Sequence, residues 1–474
     1  MRVVFTSLFQ EGMGGGAGRV AHELAHHFAR IHDTVMICPA DRTGLKDGGD
    51  GLQIFGVRSA GDDEFQMPNL TAKTVRAIFD FLNVYQPDIL HAHDPALLGL
   101  IGQVWAKMNL VPFVHTTHVL PTRALDFGTT EALNIKLLQT SFSELVTERA
   151  LFDFYENCDA IIALNQPALE SIREFGYRGK IFVIPNGRDL RHYQTCQPAD
   201  SEAERKIISF VGYLTERKNQ AYLLEVLRYL PEDYTLQFIG RALVPEYKER
   251  LLEYIDQHGL EHVVFTGQVS HEEIPRYLEE THIFPSASKM EVQSLVVIEA
   301  LASGTPVVGL SNETIDELVD EHVGFRLDKE TSPAEFAKHV QRICQLPKEA
   351  YGEMCRQARE RVKHLDWSEV VAQTTAAYQK VLEEKPSLTD EKSDLLTGLV
   401  TFLSSGEVQT FLTDRILETR RQIPEEKGMW KRLSISSKLH ALRRVPGSTW
   451  LISGATILVS VIAYLFMKGR SKNK

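Results

Sequence analysis

The sequence has few cysteines, and none of them are closely paired. Its five cysteines are scattered and include no C-x-x-C spacing: Cys38, Cys158, Cys196, Cys344 and Cys355. Neither a zinc knuckle nor a disulfide framework is therefore predicted, and a reduced, cytosolic-facing protein is the simpler interpretation. The G-K-[ST] sequence of a P-loop and repeats at solenoid periods are also missing.

Acidic residues are absent from the last part of the chain. The net charge is −11, yet Lys427 to Lys474 contains ten Lys or Arg and no Asp or Glu. The first 426 residues therefore carry −21 (−11 minus +10). An acidic body with a basic tail argues against nucleic acid as a partner and favours an anionic membrane surface, such as the cytoplasmic leaflet.

Long apolar runs are equally scarce, with one exception near the C-terminus. In the N-terminal "MRVVFTSLFQEG" the apolar run is too short for a signal peptide and is typical of a buried first strand. Residues Trp450–Met467 are uncharged, and as a helix they would measure about 27 Å, close to a hydrocarbon core of about 30 Å. We expect a single-pass transmembrane helix there, with a buried or interfacial helix as the alternative. Before it, residues 385–449 are expected to form a helical, partly basic amphipathic extension.

Short β-branched runs alternate with helical patterns over most of the chain, which predicts parallel sheets with crossover helices. At least eleven strand-like runs are too many for one ordinary sheet, so we expect an α/β fold of two doubly wound domains. Polar residues and an Asn-Gly turn signal mark the expected boundary. The predicted division is 1–187, a linker at 188–206, and 207–365.

Two glutamates, Glu291 and Glu299, lie eight positions apart in the apolar stretch "EVQSLVVIEALASGTPVV". Gly304 and Pro306 indicate a helix end, so the helix is expected to run back from Ser303 towards Glu291. In such a helix the two side chains are offset by about 80° and about 12 Å. A glycosidase pair needs about 5–9.5 Å, so this spacing better suits the two ends of a long ligand such as a nucleotide sugar. The alternative is an exposed helix with two solvated glutamates.

A glycine-rich loop follows the first strand and opens a helix in "QEGMGGGAGRVAHEL". Exposed backbone amides at a helix N-terminus suit a phosphate group. The same letters contain Gly12-x-Gly14-x-x-Ala17, with Asp41 after the second strand, so a nicotinamide-binding domain is an alternative. His91 and His93 share one side of a strand, but no further residue at ligand spacing supports a metal site.

Several motifs, in order, resemble those of the retaining glycosyltransferases of family 4 (glycosyl transferases group 1), which have the GT-B fold. The resemblance covers about residues 1–382. It rests on the glutamate pair and on "GMGGGAGRVAHELA", "PDILHAH", "PFVHTTH", "IPNGRDLRHY", "FVGYLTERKN", "FTGQVSHEEIPRYL" and "LDWSEVVAQTTAAYQKVL". The last of these resembles the helix that crosses back to the N-terminal domain, here 366–384. The N-terminal domain would then be the acceptor side and the second domain the donor side.

The resemblance implies roles for individual residues. Lys218 would neutralise the diphosphate leaving group, Glu291 would orient the sugar, and His118 would contact the sugar near the reaction centre. Glu299 would bind the ribose hydroxyls. The implied donor-binding residues are Gly15, Gly16, Arg217, Lys218, Val269, Glu291 and Glu299, and the implied catalytic residues are His118, Glu291 and Lys218. The resemblance implies that no metal is required. It also implies no cofactor, since the nucleotide sugar is a co-substrate.

Two departures from the family pattern are visible. Tyr213 stands where the G-R-L motif has arginine, and Arg217 is a candidate to replace that charge. Val292-Gln293-Ser294 stands where many relatives have Gly-Phe-Gly. In having glutamine at this position, the sequence resembles the diacylglycerol glucosyltransferases.

We therefore expect a membrane-anchored, cytoplasm-facing hexosyltransferase that uses a nucleotide sugar, with a UDP-sugar favoured. The acceptor would be a membrane lipid or a cell-envelope glycan. A sugar-nucleotide epimerase, a nicotinamide enzyme and a non-catalytic membrane-bound relative are the alternatives.

Overall fold

The computed structural model describes residues 1–61, 66–121 and 151–384. In these ranges strands and helices alternate, as the sequence pattern predicts. The expected amphipathic extension at 385–449 and the expected transmembrane helix at 450–467 lie outside them. Within the described ranges, no helix is long and apolar enough to cross a membrane.

The N-terminal sheet is built around β1, whose apolar residues are buried. Its strand order is β3-β4-β2-β1-β6-β7-β8-β9, with β5 added to β4. The pairs are parallel except that β3 and β5 run antiparallel to β4. Its strands are β1 Arg2–Thr6, β2 Asp33–Ala40, β3 Gly44–Gly49, β4 Leu52–Gly61, β5 Gln66–Pro68, β6 Ile89–Ala92, β7 Phe113–Thr117, β8 Ala160–Ala163 and β9 Lys180–Val183.

The second domain contains two three-stranded parallel sheets, ordered β10-β11-β12 and β13-β14-β15. A single bridge between Ile208 and Ile283 joins them edge to edge, so the six strands lie side by side. Their bounds are β10 Lys206–Val211, β11 Tyr234–Ile239, β12 Val263–Gly267, β13 Phe284–Ser286, β14 Val307–Leu310 and β15 Gly324–Leu327. The carboxyl ends of parallel strands meet at one edge, which is where open α/β sheets bind ligands.

Helices connect the strands, and side-chain caps define several of their ends. Asn165, Asn312 and Ser332 each accept a hydrogen bond from a backbone N–H in the first turn of the following helix. The helices are α1 Gly15–Ala29, α2 Ala72–Tyr85, α3 Leu97–Met108, α4 Gln166–Glu174, α5 Arg191–Gln194, α6 Gln220–Leu227, α7 Pro245–His258, α8 Ile274–Glu279, α9 Leu295–Ser303, α10 Glu313–Leu318, α11 Pro333–Cys344, α12 Lys348–Val362 and α13 Trp367–Leu382.

The last described helix, α13, packs in the N-terminal domain although it follows the second domain in sequence. Its Trp367 and Tyr378 are buried in the same apolar cluster as Phe28, and the rings of Tyr378 and Phe28 lie 5.5 Å apart. The Tyr378 hydroxyl is also 2.5 Å from His91 Nδ1. Burial of two large aromatic rings fixes this helix against the first sheet.

A prediction concerns Gly187, which lies beneath the Trp367 ring. A Cβ atom there would be 2.1 Å from the ring carbon Cε3 of Trp367. Gly187→Ala should therefore displace α13 and destabilise the protein by about 1–3 kcal/mol, as overpacked cores do. Thermal and urea unfolding measure the loss.

Gly352→Ala is the matched control. Gly352 is an exposed residue within α12, and an added Cβ would have no neighbour within 4 Å among the described residues. This change should stabilise slightly, by about 0.5–1 kcal/mol, because alanine loses less backbone entropy in a helix. Equal melting temperatures for the two variants would contradict the packing of α13 described above.

Candidate active site

The glycine-rich loop faces the second domain. Gly12, Gly14 and Gly15 have φ of 81°, 79° and 58°, and α1 begins directly after Gly14 without a side-chain cap. A Cβ at Gly15 would be 3.6 Å from the Tyr213 ring, and one at Gly16 would be 3.7 Å from the side chain of Leu295. The backbone amides at the start of α1, which no side chain caps among the described residues, therefore lie at the cleft, where they can bind an anion.

Lys218 and Glu291 form an ion pair on the second-domain side of the cleft. Both side chains are nearly buried, at 12 % and 9 % exposed. Burial lowers the pKa of Lys218, against the attraction of Glu291. Burial alone would raise the pKa of Glu291, but the charges of Lys218 and Arg217 outweigh it and lower that pKa. Glu291 is thus held as a carboxylate, which suits accepting hydrogen bonds and not donating a proton.

The side chain of Arg217, like that of Lys218, contacts the loop that carries Glu291. Its Nη1 donates to the Met290 carbonyl at 2.9 Å and lies 3.4 Å from Glu291 Oε1. At Tyr213, the position of the missing motif arginine, a second guanidinium is close: Arg241 Cζ lies 5.4 Å from the centroid of the Tyr213 ring. The motif around Tyr213 gives no signal for Arg241, because this arginine follows the next strand of the sheet.

The prediction that Glu291 begins a helix is wrong. The helix α9 starts at Leu295, and Ser294 has an extended backbone with φ −81° and ψ 110°. The predicted end is confirmed, since Gly304 is the left-handed cap with φ 84°. The offsets of 80° and 12 Å therefore do not apply, and Glu291 lies in a loop.

Contacts with the N-terminal domain explain why this loop leaves the helix. Val292 is buried in the apolar cluster of that domain, and its carbonyl accepts a hydrogen bond from Asn165 Nδ2 at 2.7 Å. The side chain of Gln293 makes two hydrogen bonds to the backbone of the N-terminal domain. Its Oε1 accepts from the backbone N–H of Asn186 at 2.6 Å, and its Nε2 donates to the Leu164 carbonyl at 3.4 Å. Tertiary packing across the domains thus overrides the local helix propensity of the apolar run.

Glu299 is buried within α9 and paired with Arg188. The Arg188 Nη2–Glu299 Oε1 distance is 2.5 Å, and each side chain is 3 % exposed. Nη1 of Arg188 also donates to both carboxylate oxygens of Glu23, at 2.9 and 3.0 Å. Burial would lower the pKa of Arg188, but Glu299 and Glu23 outweigh it and raise that pKa. The predicted ribose contact of Glu299 stays a prediction, with Arg188 as its partner in this structure.

Sequence reasoning missed this ion-pair network of Glu23, Arg188 and Glu299. Arg19 extends it, with Nε 2.7 Å from Glu23 Oε1 and Nη1 2.6 Å from His271 Nδ1. Glu23 and Arg19 belong to α1, whereas Glu299 and His271 belong to the second domain. One available signal was the i,i+4 spacing of Arg19 and Glu23, but nothing local showed that both face another domain.

His118 follows the carboxyl end of β7 and is half-buried. Burial lowers its pKa to about 4, so the ring is neutral near pH 7. The neighbouring strand β8 ends at Ala163, and the Gln293 amide contacts the next carbonyl, of Leu164. The loop that carries Glu291 therefore meets the N-terminal sheet one strand away from His118.

Val269 lies between β12 and the capping box at Ser270, half-buried against the core of the second domain. Its predicted role in donor binding stays a prediction. Among the described residues, no group of three or more His, Cys, Asp or Glu could hold a metal ion.

A prediction follows for Arg188. Arg188→Met would leave the buried Glu299 carboxylate with Arg19, at 3.9 Å, as its remaining ion-pair partner among the described residues. Removing one partner of a buried ion pair typically costs about 3–5 kcal/mol, so we expect a lower midpoint in urea unfolding. Adding Glu299→Gln should restore part of the loss, because the unpaired charge is then gone.

Arg191→Met is the matched control, since Arg191 pairs with Asp189 while its side chain is 73 % exposed. Its unfolding midpoint should stay close to that of the unmodified protein. Comparable losses at Arg188 and Arg191 would show that burial of the Arg188 pair contributes little.

Comparisons with known proteins agree with the geometry. The model of the glycosyltransferase family 4 domain matches residues 14–192, and the model of glycosyl transferases group 1 matches residues 196–364. An alpha-monoglucosyldiacylglycerol synthase of Streptococcus pneumoniae is 24 % identical over 250 residues, covering 50 % of this chain and 55 % of that protein. A GDP-mannose-dependent alpha-mannosyltransferase of Corynebacterium glutamicum is 24 % identical over 406 residues, covering 81 % and 89 %.

Solved structures show the same fold. Sucrose-phosphate synthase from Thermosynechococcus elongatus matches with a TM-score of 0.63 and 18 % identity, over 81 % of this chain and 99 % of that one. Anabaena HepE in complex with UDP-glucose matches with a TM-score of 0.62 and 18 % identity, over 80 % and 100 %. These findings decide against the nicotinamide alternative for the glycine-rich loop. The chain belongs to the family 4 glycosyltransferases and has the GT-B fold.

Proposed function

We propose that this glycosyltransferase moves a hexose, with retention of the anomeric configuration, from a UDP-sugar to a membrane lipid or a cell-envelope glycan. The observation that carries the proposal is the buried Lys218–Glu291 pair, in a loop that packs against the N-terminal domain. A cation and a fixed carboxylate at a closed domain boundary suit a diphosphate and a sugar bound side by side.

The positions of these residues define one orientation for the proposed donor along the cleft. The diphosphate would lie between the free amides at the start of α1 and the cations Lys218 and Arg217. Glu291, held ionised, would accept hydrogen bonds from sugar hydroxyls. Glu299 would accept from the ribose hydroxyls while it is paired with Arg188. The Anabaena structure with UDP-glucose supports a uridine nucleotide.

The chemistry requires charge neutralisation as the donor breaks. When the bond between the anomeric carbon and the diphosphate oxygen cleaves, its electron pair goes to the diphosphate. Lys218 lies where it would stabilise that charge more strongly in the transition state than in the ground state. With retention, the acceptor hydroxyl attacks from the face of the leaving group and passes its proton to the diphosphate oxygen.

A lipid acceptor is supported from two directions. Relatives named alpha-monoglucosyldiacylglycerol synthase occur in Streptococcus pneumoniae and Acholeplasma laidlawii. In the tail of this sequence, basic residues lie on both sides of an uncharged apolar segment, a pattern that suits a membrane. Gln293 gives no separate support, because its amide group bonds to Asn186 and Leu164 between the domains.

The proposal predicts transfer to the organic phase. Membranes carrying the full-length protein should incorporate radiolabel from a UDP-hexose into chloroform-soluble material, and more slowly or not at all from GDP-mannose. NMR of the purified product should show the anomeric configuration of the donor. An inverted product would exclude retention, and label that stays in water-soluble glycan would exclude the lipid acceptor.

Lys218→Ala is the companion variant. It should reduce kcat far more than affinity for UDP, since the interaction strengthens as charge develops. The matched control is Lys338→Ala, because Lys338 is a surface lysine of α11 that pairs with Glu335. Unchanged kcat in Lys218→Ala would remove this residue from the proposed chemistry.

A further prediction concerns the tail, proposed here as an anchor that keeps the catalytic part in the cytoplasm. Truncation before Met429 should release the protein from membranes and lower the rate on lipid in bilayers, while sparing activity on a soluble acceptor. Each basic residue near an anionic surface contributes about 1 kcal/mol, and the apolar segment Trp450–Met467 should resist high-salt washing.

The control is a shorter truncation after Met467, which removes only the final basic residues and should leave the protein bound. Release of the full-length protein by high salt would show that Trp450–Met467 does not span the membrane. An unchanged rate on bilayer lipid after the longer truncation would reduce the tail to a targeting signal.

A further inference from the structure

Three histidine rings are stacked behind the cleft at the carboxyl ends of β6 and β7. The centroids of His91 and His93 are 4.6 Å apart with an interplanar angle of 26°. Those of His93 and His118 are 5.3 Å apart with an angle of 21°. Only His118 is half-exposed, whereas His91 and His93 are buried. The stack therefore connects the interior of the N-terminal domain to the predicted sugar-contacting residue.

A single hydrogen bond joins the last two rings. His93 Nδ1 lies 3.0 Å from His118 Nε2. Burial lowers the pKa of both rings well below the usual histidine range, so both are neutral near pH 7. Exactly one of the two facing nitrogens must then carry the shared proton, because two N–H groups would clash and two lone pairs would repel.

The other nitrogen of His93 indicates which one it is. His93 Nε2 is buried and has no hydrogen-bond partner among the described residues. A buried N–H without a partner is rarer in proteins than an under-satisfied acceptor. The proton of His93 therefore belongs on Nδ1, which donates to His118 Nε2. His118 must then carry its own proton on Nδ1.

The deeper end of the stack is fixed. His91 lies 2.5 Å from the Tyr378 hydroxyl and 2.7 Å from Thr116 Oγ1. The Phe5 ring packs beside both inner histidines, at 5.3 Å from His91 and 5.7 Å from His93. Because the Phe5 and His91 rings pack against it, the His93 ring has a fixed orientation, and it transmits that orientation to His118.

We propose that His93 is a positioning residue for glycosyl transfer: its Nδ1–H holds His118 in one orientation and in the Nδ1-protonated form. His118 thereby meets the donor sugar as a neutral imidazole whose remaining N–H has a fixed direction. The inference rests on the proposed function and on the sugar contact that the family resemblance predicts for His118. His93 itself touches no substrate in this arrangement.

The first test compares two substitutions at one position in the full-length enzyme. His93→Leu removes the hydrogen bond and should lower kcat by about 10- to 100-fold, the scale of a small misplacement at a reacting centre. KM for the nucleotide sugar should change little. His93→Asn retains an amide donor near the position of Nδ1 and should recover most of the lost kcat.

His282→Leu is the control for general destabilisation. His282 is also a buried histidine with two backbone hydrogen bonds, to the Ile207 amide and the Asp200 carbonyl. These lie at the amino end of β10, the edge of the sheet opposite the cleft. A similar fall in melting temperature without a fall in kcat is expected there.

A double variant tests whether His93 acts through His118. His93→Leu combined with His118→Ala should be no slower than His118→Ala alone, because the residue being positioned is already gone. Additive losses would overturn the proposal, as would full activity of His93→Leu or failure of His93→Asn to recover it.

A spectroscopic readout separates this inference from the proposed function. In [¹⁵N]histidine-labelled protein, the His118 signals are identified by their loss in His118→Asn. They should show a protonated Nδ1 in the unmodified protein and a mixture of forms in His93→Leu. A protonated Nε2 on His118 would overturn the proposal even if the enzyme transfers sugar as expected. The expected tautomer in a protein that transfers no sugar would leave the positioning intact and reject only the proposed reaction.

Discussion

The guanidinium group of Arg188 is the point on which the arrangement of the two domains depends. It is buried between Glu23 of α1 and Glu299 of α9, so the N-terminal domain, the linker and the second domain meet at one charge. A buried cation needs carboxylates on more than one side, because the cost of removing it from water is large. Separation of the domains would expose Glu23 or Glu299 without its partner, which favours the closed arrangement seen here.

The same contact between the domains shapes the loop at Glu291, where the sugar of the donor is predicted to bind. Val292 packs into the N-terminal core and Gln293 bonds to the carbonyl of Leu164 and the amide of Asn186. Glu291 is thereby taken out of α9 and turned towards Lys218. The substitution of Val-Gln-Ser for Gly-Phe-Gly thus has a structural account in this chain, since the larger side chains fasten the loop to the opposite domain.

Much of the fold follows from sequence pattern, and the failures have a common cause. Apolar alternation predicts β1, β2 and β7, and Gly304 predicts the end of α9, because these signals are local. The glycine-rich loop predicts the start of a helix, but α1 begins at Gly15, before the apolar pattern starts at Val20. The edge strand β3 carries mostly polar and glycine residues and gives a weak signal. The sequence pattern predicts a helical position for Glu291, which is wrong, and it gives no signal for the contacts of Arg188 and Arg241. The positions of all three residues are set by partners that are distant in sequence.

The return of α13 to the first domain has a consequence for the order of synthesis. The N-terminal core lacks Trp367 and Tyr378 until the ribosome has made nearly all of the second domain. At about 5–20 residues per second, this interval lasts about 10–40 seconds. During that time the first sheet has an uncovered apolar surface around Phe28, and His91 lacks its tyrosine partner. The second domain, whose strands and helices are contiguous in sequence, can complete its own core before α13 covers the first sheet. Completion of the first domain therefore depends on a helix that is made after the second domain.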